Sequence, residues 1–405
     1  MLEFMNILDA WKNRFMDILF ITTLYPDNES QKKTDVPYTL HNFVKSWKKS
    51  HNVEVIKIEA TYPSYIPVYR KNNIARIPRN NIIDDVPITV KQLKKNILRN
   101  YTNSSIKELT INLKTDYINR KYDIIIFHVF YPNFFIAKAI SELFDCPVIW
   151  GFHQSDIIWL KKVKNKKVFN RYKDKIDMIG FRSQKLKKEF SEMFIFSKPQ
   201  FLIHSGINCT TKLTFRNSVR KLKNIITVAN LIKRKNIDIL IKSFYTLFGD
   251  FPYIELTIVG DGPKKKSLVK LCKRLKIANK VHFLGYLKSE DVDNELEKND
   301  IFILPSINET FGLVYLEAMA KACITVGTIN EGIDGVIVNG INGFLSKPDV
   351  KGCSSTIRHI LSLTTDEVKK IQRESINTIM EKSEKKCADN YLDMIKTNSW
   401  KKMDV

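Results

Sequence analysis

The 405-residue chain has no Cys-x-x-Cys pair; its six cysteines, Cys146, Cys209, Cys272, Cys323, Cys353 and Cys387, stand singly. With no secretory leader ahead of them, they read as reduced thiols in a cytoplasmic protein rather than a disulfide framework. Long apolar runs are lacking too. The longest, such as Ile124–Phe127 and Ile301–Pro305, are strand-length, against the ~18 residues of a membrane-spanning helix, so no segment is expected to cross a bilayer. Short-period repeats and low-complexity tracts are absent, which excludes solenoid arrays and biased linkers. His, Cys, Asp and Glu form no ligand-spaced cluster, and no Asp-x-Asp falls at a plausible strand end, so no metal site is expected. Acidic residues are scarce: 43 Asp+Glu stand against 66 Lys+Arg, a net charge of +23.

That charge biases the protein toward polyanions, whether nucleic acid, an anionic membrane or a phosphate-bearing substrate. Residues 1–210 carry 34 basic and 20 acidic side chains, and the remainder 32 and 23, so the excess leans to the N-terminal half. It concentrates in 70–121 and 161–198, where a solvated face of a Lys-, Asn- and Ile-rich chain is the plainer explanation. At 44% hydrophobic the chain can bury a large core, and its length suggests roughly two to three domains. Residues 1–15 place Leu2, Met5, Leu8, Trp11 and Phe15 at helical spacing. The segment reads as a helix lying on a membrane, a helix packed on the domain, or an extension ahead of a start at Met16.

From Ile18 onward short β-rich runs alternate with helical stretches. Strands are expected at Ile18–Thr22, Val53–Ile58, Ile124–Phe127 and Val148–Trp150, with helices over 36–49 and 133–144; the stretch 60–120 has no clear pattern. A second series follows the Ser205-Gly206 turn. It has strands at Ile225–Val228, Glu255–Val259, Val281–Leu284, Ile301–Pro305 and Cys323–Val326, helices over 235–248, 263–277 and 312–321, and a last helix over about 366–395. Two α/β units in succession, each with parallel strands and crossover helices, follow from that alternation.

Candidate chemistry gathers where strands hand over to helices. Glu309 and Glu317 bracket Thr-Phe-Gly-Leu-Val-Tyr-Leu, one in a loop and one inside the next helix. Gly312 at the helix start lets an anion approach the backbone N–H groups of the first turn. An ordinary amphipathic helix, with Leu313, Leu316 and Met319 inward and two surface glutamates, satisfies the same pattern. Upstream lie Val228-Ala-Asn-Leu-Ile-Lys-Arg-Lys235, Gly260-Asp261-Gly262-Pro263, Gly285-Tyr286 and Trp150-Gly-Phe-His-Gln-Ser-Asp156.

Taken together with Pro305-Ser306, Phe311-Gly312-Leu313, Leu316-Glu317-Ala318-Met319-Ala320 and Gly340-Ile-Asn-Gly-Phe-Leu345, these segments resemble family 4 glycosyltransferases over about residues 17–60 and 120–350. The resemblance implies the α/β GT-B fold, two doubly wound Rossmann-like domains facing each other across a cleft. An acceptor-side domain would span 1–210, joined by a C-terminal helix at about 385–405, and a nucleotide-sugar domain would span 211–384. It also implies a retaining hexosyltransferase that uses a nucleoside diphosphate sugar as co-substrate, with no cofactor and no metal.

By the same likeness Glu309 contacts the donor sugar, Glu317 the ribose, and the backbone at Phe311, Gly312 and Leu313 meets sugar and phosphate. Lys235 neutralises the diphosphate; the family's companion Arg falls on Asn230, with Arg234 nearby. Gly260 and Gly262 belong to the donor-side turn. His153 lies near the reacting carbon, with Asp156 holding the loop or orienting a ring nitrogen. In 327–335 the family's usual Glu falls on Gly335, with Glu331 and Asp334 close by, and the glycine pair of the first loop is missing.

The expected acceptor is a glycan, or a glycan on a lipid diphosphate, reached from the cytoplasm or from the inner face of an anionic membrane in cell-surface polysaccharide synthesis. Other readings are a nucleotide-sugar epimerase or an inactive sugar-nucleotide binder on the same fold, and a nucleic-acid-binding protein. The last needs a binding module or aromatic-basic interleaving, which the clusters at 161–167 and 185–188 lack; no nucleic-acid partner is expected.

Overall fold

A computed structural model describes residues 14–26, 38–61, 79–96, 101–208, 213–214 and 221–399. Residues 1–13, most of the proposed N-terminal helix, and 27–37 of the first loop lie outside that range. The chain divides into one unit of Met1–Arg182, Leu186–Ile203 and Cys387–Val405 and another of Ser183–Lys185 and His204–Lys386.

The first unit is built on β1 (Asp17–Thr22), β2 (Asn52–Thr61), β3 (Arg79–Ile83), β4 (Val86–Lys94), β5 (Ile124–His128), β6 (Val148–Phe152), β7 (Met178–Phe181) and β8 (Gln200–Leu202), in the order β3-β4-β2-β1-β5-β6-β7-β8. All neighbours are parallel except β3 and β4. Its central strands read as unbroken apolar runs because both faces are covered. Alternate residues serve opposite cores: Leu19, Ile21, Ile125 and Phe127 on one side, Ile18, Phe20, Ile124 and Ile126 on the other. Covering helices include α1 (Thr39–Trp47), α2 (Asn103–Tyr117), α3 (Phe130–Leu143) and α4 (Gln154–Leu160).

The unpatterned stretch 60–120 holds the β3–β4 hairpin and α2. Asp84 and Asp85 form the hairpin's two-residue turn, both at positive φ (49° and 62°), as a tight turn matched to strand twist requires. Thr102 caps α2 by accepting the Ser105 N–H at 3.3 Å.

The second unit carries β9 (Asn224–Val228), β10 (Glu255–Val259), β11 (Val281–Gly285), β12 (Ile301–Ile303), β13 (Ile324–Thr328) and β14 (Phe344–Ser346), all parallel, in the order β11-β10-β9-β12-β13-β14. Around it pack α5 (Ile237–Leu247), α6 (Lys265–Arg274), α7 (Ser289–Lys298), α8 (Leu313–Ala320), α9 (Val350–Leu361) and α10 (Thr365–Met380). One core gathers Ile225, Ile226, Leu240, Phe244, Ile258, Phe302, Leu316 and Met319.

The single helix expected over 366–395 is two: α10 ends at Met380 and α11 runs Glu384–Ser399. The break has a local cause. Ile207 donates its N–H to the Lys382 carbonyl and accepts from the Glu384 N–H, both at 2.9 Å. Gly206 lies so close that a β-carbon there would come within 2.5 Å of the Ser383 backbone. A strand-like bridge from distant sequence thus captures the peptide groups that would have continued the helix. Beyond it, α11 carries Cys387, Ala388, Tyr391, Leu392 and Ile395 into the first unit's core, and the Trp47 indole N–H donates to the Ala388 carbonyl at 2.8 Å.

Candidate functional site

In the second sheet the strand order reverses between β9 and β12, and an open parallel sheet forms its ligand crevice beyond the strand ends at such a reversal. The loops leaving these two strands carry Arg234 and Lys235 on one side and Ser306 and Glu309 on the other. Backbone bonds lock them together. Ile307 donates its N–H to the Arg234 carbonyl at 2.9 Å, and the Asn236 side-chain amide donates to the Pro305 carbonyl at 2.9 Å. Asn236 itself sits in the left-handed region (φ 52°), where asparagine is tolerated.

One carboxylate oxygen is the focus. Glu309 Oε2 accepts from Lys235 Nζ at 2.5 Å, Arg234 Nη1 at 3.0 Å and Ser306 Oγ at 2.9 Å. Lys235 and Glu309 are 11% and 13% exposed, whereas Arg234 is 41% exposed. The lysine is therefore the buried counterion and the arginine the cation open to an incoming anion. Burial pushes the Lys235 ammonium below its usual value, Glu309 pulling it back only in part. Burial also pushes Glu309 up, but Lys235, Arg234 and Ser306 outweigh it and hold its carboxyl below the usual range. Removing one member of a buried pair leaves an uncompensated charge, at a cost of about 3–5 kcal/mol.

The backbone here is shaped by glycines. Gly312 precedes α8 at φ 87°, and a β-carbon there would lie 2.6 Å from the Tyr315 ring. Tyr315 is fully buried and donates its hydroxyl to the Leu304 carbonyl at 2.8 Å. Phe311, Leu316 and Met319 are buried as well, while Leu313, expected inward, is half-buried and Glu317 partly exposed in the second turn of α8. At Gly260 (φ 127°) a β-carbon would come within 2.0 Å of the Ala229 carbonyl oxygen. Gly262 lies against Leu231, and the Leu231 N–H donates to the Asp261 carbonyl at 2.8 Å. These two glycines bring the β10 turn against the loop that carries Arg234 and Lys235.

Asn230, at the family's Arg position, is exposed; Arg234 is the residue that joins Lys235 on Glu309. Between the two acids of 327–335, the fold selects Glu331. Its Oε2 accepts the Glu309 N–H at 3.0 Å, whereas Asp334 closes its own turn by accepting the Asn330 N–H at 2.6 Å. Ser306 and Glu331, not assigned to the cluster from sequence, are both part of it.

In the first unit His153 follows β6 and opens α4. Asp156 holds the loop rather than a ring nitrogen: its two oxygens accept the N–H groups of His153 and Phe130, each at 2.8 Å. Burial pushes its carboxyl up to about 7 against the pull of those donors. The His153 ring instead meets His128, Nε2 to Nδ1 at 3.0 Å, and His128 Nε2 meets the Tyr391 hydroxyl at 3.1 Å. Burial first, then the Arg182 cation, pushes the His153 pKa down to about 3. Neither His128 nor Tyr391 carried a sequence signal, because their partners lie 25 and 263 residues away.

The profile of the family described as glycosyl transferases group 1 matches residues 211–378. Among curated relatives, the alpha-monoglucosyldiacylglycerol synthase of Acholeplasma laidlawii is 28% identical over 189 residues, 44% of this chain and 45% of that protein. The N-acetyl-alpha-D-glucosaminyl L-malate synthase of Bacillus anthracis is 26% identical over 253 residues, 59% and 65%. The chain thus spans about half to two thirds of the length of these relatives. Among solved structures, the lipopolysaccharide outer core galactosyltransferase WaaB superposes with a TM-score of 0.70 at 18% identity, covering 94% of this chain and 99% of that one. Anabaena HepE in complex with UDP and glucose gives 0.64 at 17%, covering 94% and 100%. The two Rossmann-like units have the fold of the GT-B glycosyltransferases.

Proposed function

We propose that this chain is a retaining hexosyltransferase that moves a sugar from a nucleoside diphosphate sugar to a glycan or lipid-linked glycan acceptor in cell-surface polysaccharide synthesis. The observation that carries the reading is the Glu309 carboxylate held by Lys235 and Arg234 at the strand-order reversal of the second sheet. A departing diphosphate needs cations and dipoles aimed at its developing charge. Lys235, Arg234 and the backbone N–H groups at the Gly312 end of α8 supply both. When the diphosphate takes over the two cations, the Glu309 carboxylate is released toward the sugar hydroxyls, which satisfy it by hydrogen bonds in place of the ion pairs. Glu317 accepts from the ribose, and Gly260 and Gly262 shape the floor beneath the cation loop. His153 lies by the reacting carbon, on a loop fixed by Asp156.

With two protein cations on the leaving group, turnover is expected without a divalent metal, and strict dependence on Mn²⁺ or Mg²⁺ would count against this phosphate site. The basic N-terminal half suits an acceptor presented at the inner face of an anionic membrane, where each Lys or Arg near the surface adds about 1 kcal/mol; no helix among the described residues is long and apolar enough to cross one. A thermal-shift panel of nucleotide sugars tests the donor: a true donor raises Tm by mass action. With that donor, the anomeric configuration of the first-formed product, followed by NMR, decides retention.

A further inference from the structure

The contacts of His153 continue into the core. His128 ends β5, is fully buried, and stands between His153 and Tyr391 at 3.0 and 3.1 Å. Its ring is fixed on every side. Phe20 stacks on it with centroids 5.2 Å apart. The Asn133 amide ties the strand end by donating to the carbonyls of His128 and Val129 at 2.8 Å. Gly151 makes room for it: a β-carbon there would lie 2.1 Å from His128 Cε1.

A neutral imidazole carries one N–H, so one proton lies between His128 Nδ1 and His153 Nε2. If His128 donates there, its Nε2 is bare and accepts the Tyr391 O–H, and His153 carries its own proton on Nδ1. If His153 donates, His128 is protonated on Nε2 and donates to the Tyr391 oxygen, and His153 Nδ1 is bare. Either way the two rings share one tautomer, and neither changes alone. Burial and the nearby Arg182 cation keep both imidazoles neutral. Among the described residues, the further titratable groups beside them include Asp156, bound to backbone N–H groups, and Cys387 beside Arg182.

We propose that His128 and Tyr391 are positioning residues that decide, through one shared proton, whether His153 presents an N–H or a lone pair at Nδ1. The C-terminal helix α11 thereby enters the chemistry by way of Tyr391. The consequence for turnover rests on His153 acting at the sugar, as read above; the coupling of the two rings does not.

The test uses the full chain labelled with ¹⁵N-histidine, the ring signals assigned by His128→Gln and His153→Gln and read from about pH 5 to pH 8, the window in which histidine normally titrates. The wild type is expected to show both rings neutral and in the same tautomer. In Tyr391→Phe both tautomer populations move together, and kcat falls about tenfold, the loss of roughly one hydrogen bond, with KM for the nucleotide sugar little changed. Ile395→Val on the same helix lowers Tm and moves neither signal. Opposite tautomers, a ring that titrates near pH 6.5, or a Tyr391→Phe spectrum in which His128 moves alone would overturn the proposal; the wild-type spectrum decides even if Tyr391→Phe does not fold. Coupled rings with normal turnover in His153→Gln would uphold the shared proton and refute the placement of His153 at the sugar.

Discussion

The two units place polar groups at comparable points, at or just beyond strand ends near the centre of each sheet, and treat them in opposite ways. In the second unit Glu309 is kept ionised by two cations and a hydroxyl on one oxygen. In the first, His128 and His153 are kept neutral by burial beside Arg182. The difference suits the roles proposed above for each group. A cluster that receives a diphosphate must hold positive charge ready, and it needs an internal anion to neutralise that charge meanwhile. A histidine that works by hydrogen bonding must not charge, and partial burial with a cation nearby opposes it.

The largest test falls on the ionic side. Lys235→Ala removes the buried cation and should lower kcat by about a thousandfold, the scale of losing a preorganised charge at a leaving group, measured by release of the nucleoside diphosphate. Near-normal turnover would show that the cluster is structural and would remove the contrast. Next come the glycines that make room on each side. Gly260→Ala and Gly151→Ala would each drive a β-carbon to within about 2 Å of a neighbouring atom, and each is expected to cost at least about 2–3 kcal/mol in denaturant unfolding. Gly151→Ala should also shift the His128 ring signals, whereas Gly260→Ala should not.

Acid stability reads the neutral side. The unfolded chain protonates His153 below its ordinary value near 6.5, while the folded ring stays neutral to about 3. Protonation thus favours unfolding, and the contribution of this ring falls by roughly 2 kcal/mol between about pH 6.5 and pH 5. Asp156, raised to about 7, has the opposite slope: its folded form takes up a proton first and gains stability as pH falls. The difference in unfolding free energy between wild type and His153→Gln isolates the ring, and a difference independent of pH would mean that it is not held neutral. The smallest effect is expected of Asn230→Arg. Restoring a cation at this exposed position should tighten donor binding about three- to fivefold at low salt, an advantage that shrinks as ionic strength rises.

Much of this was legible in the sequence because it is local. Apolar runs fixed the central strands, and the short segment from Ser306 to Glu317 holds both the carboxylate and the helix start that an anion can approach. Arg234 and Lys235 sit a few residues past a strand, where the α/β pattern puts ligand-facing loops. The stretch 60–120 resisted reading because its hairpin depends on a two-aspartate turn and on pairing with β2 across many residues. The break at 381–383 was invisible for the same reason, since helical periodicity continues straight through it.

By itself the sequence determined two α/β units and which residue types stand at their strand ends, because periodicity and turn chemistry act over a few residues. Only the tertiary structure decided that Arg234 rather than Asn230 joins Lys235, that Glu331 rather than Asp334 meets the Glu309 loop, and that Tyr391 reaches His128 from 263 residues away. Each of those choices turns on which side chains the packed elements bring together from distant stretches of sequence, and tertiary packing, not local propensity, decides that.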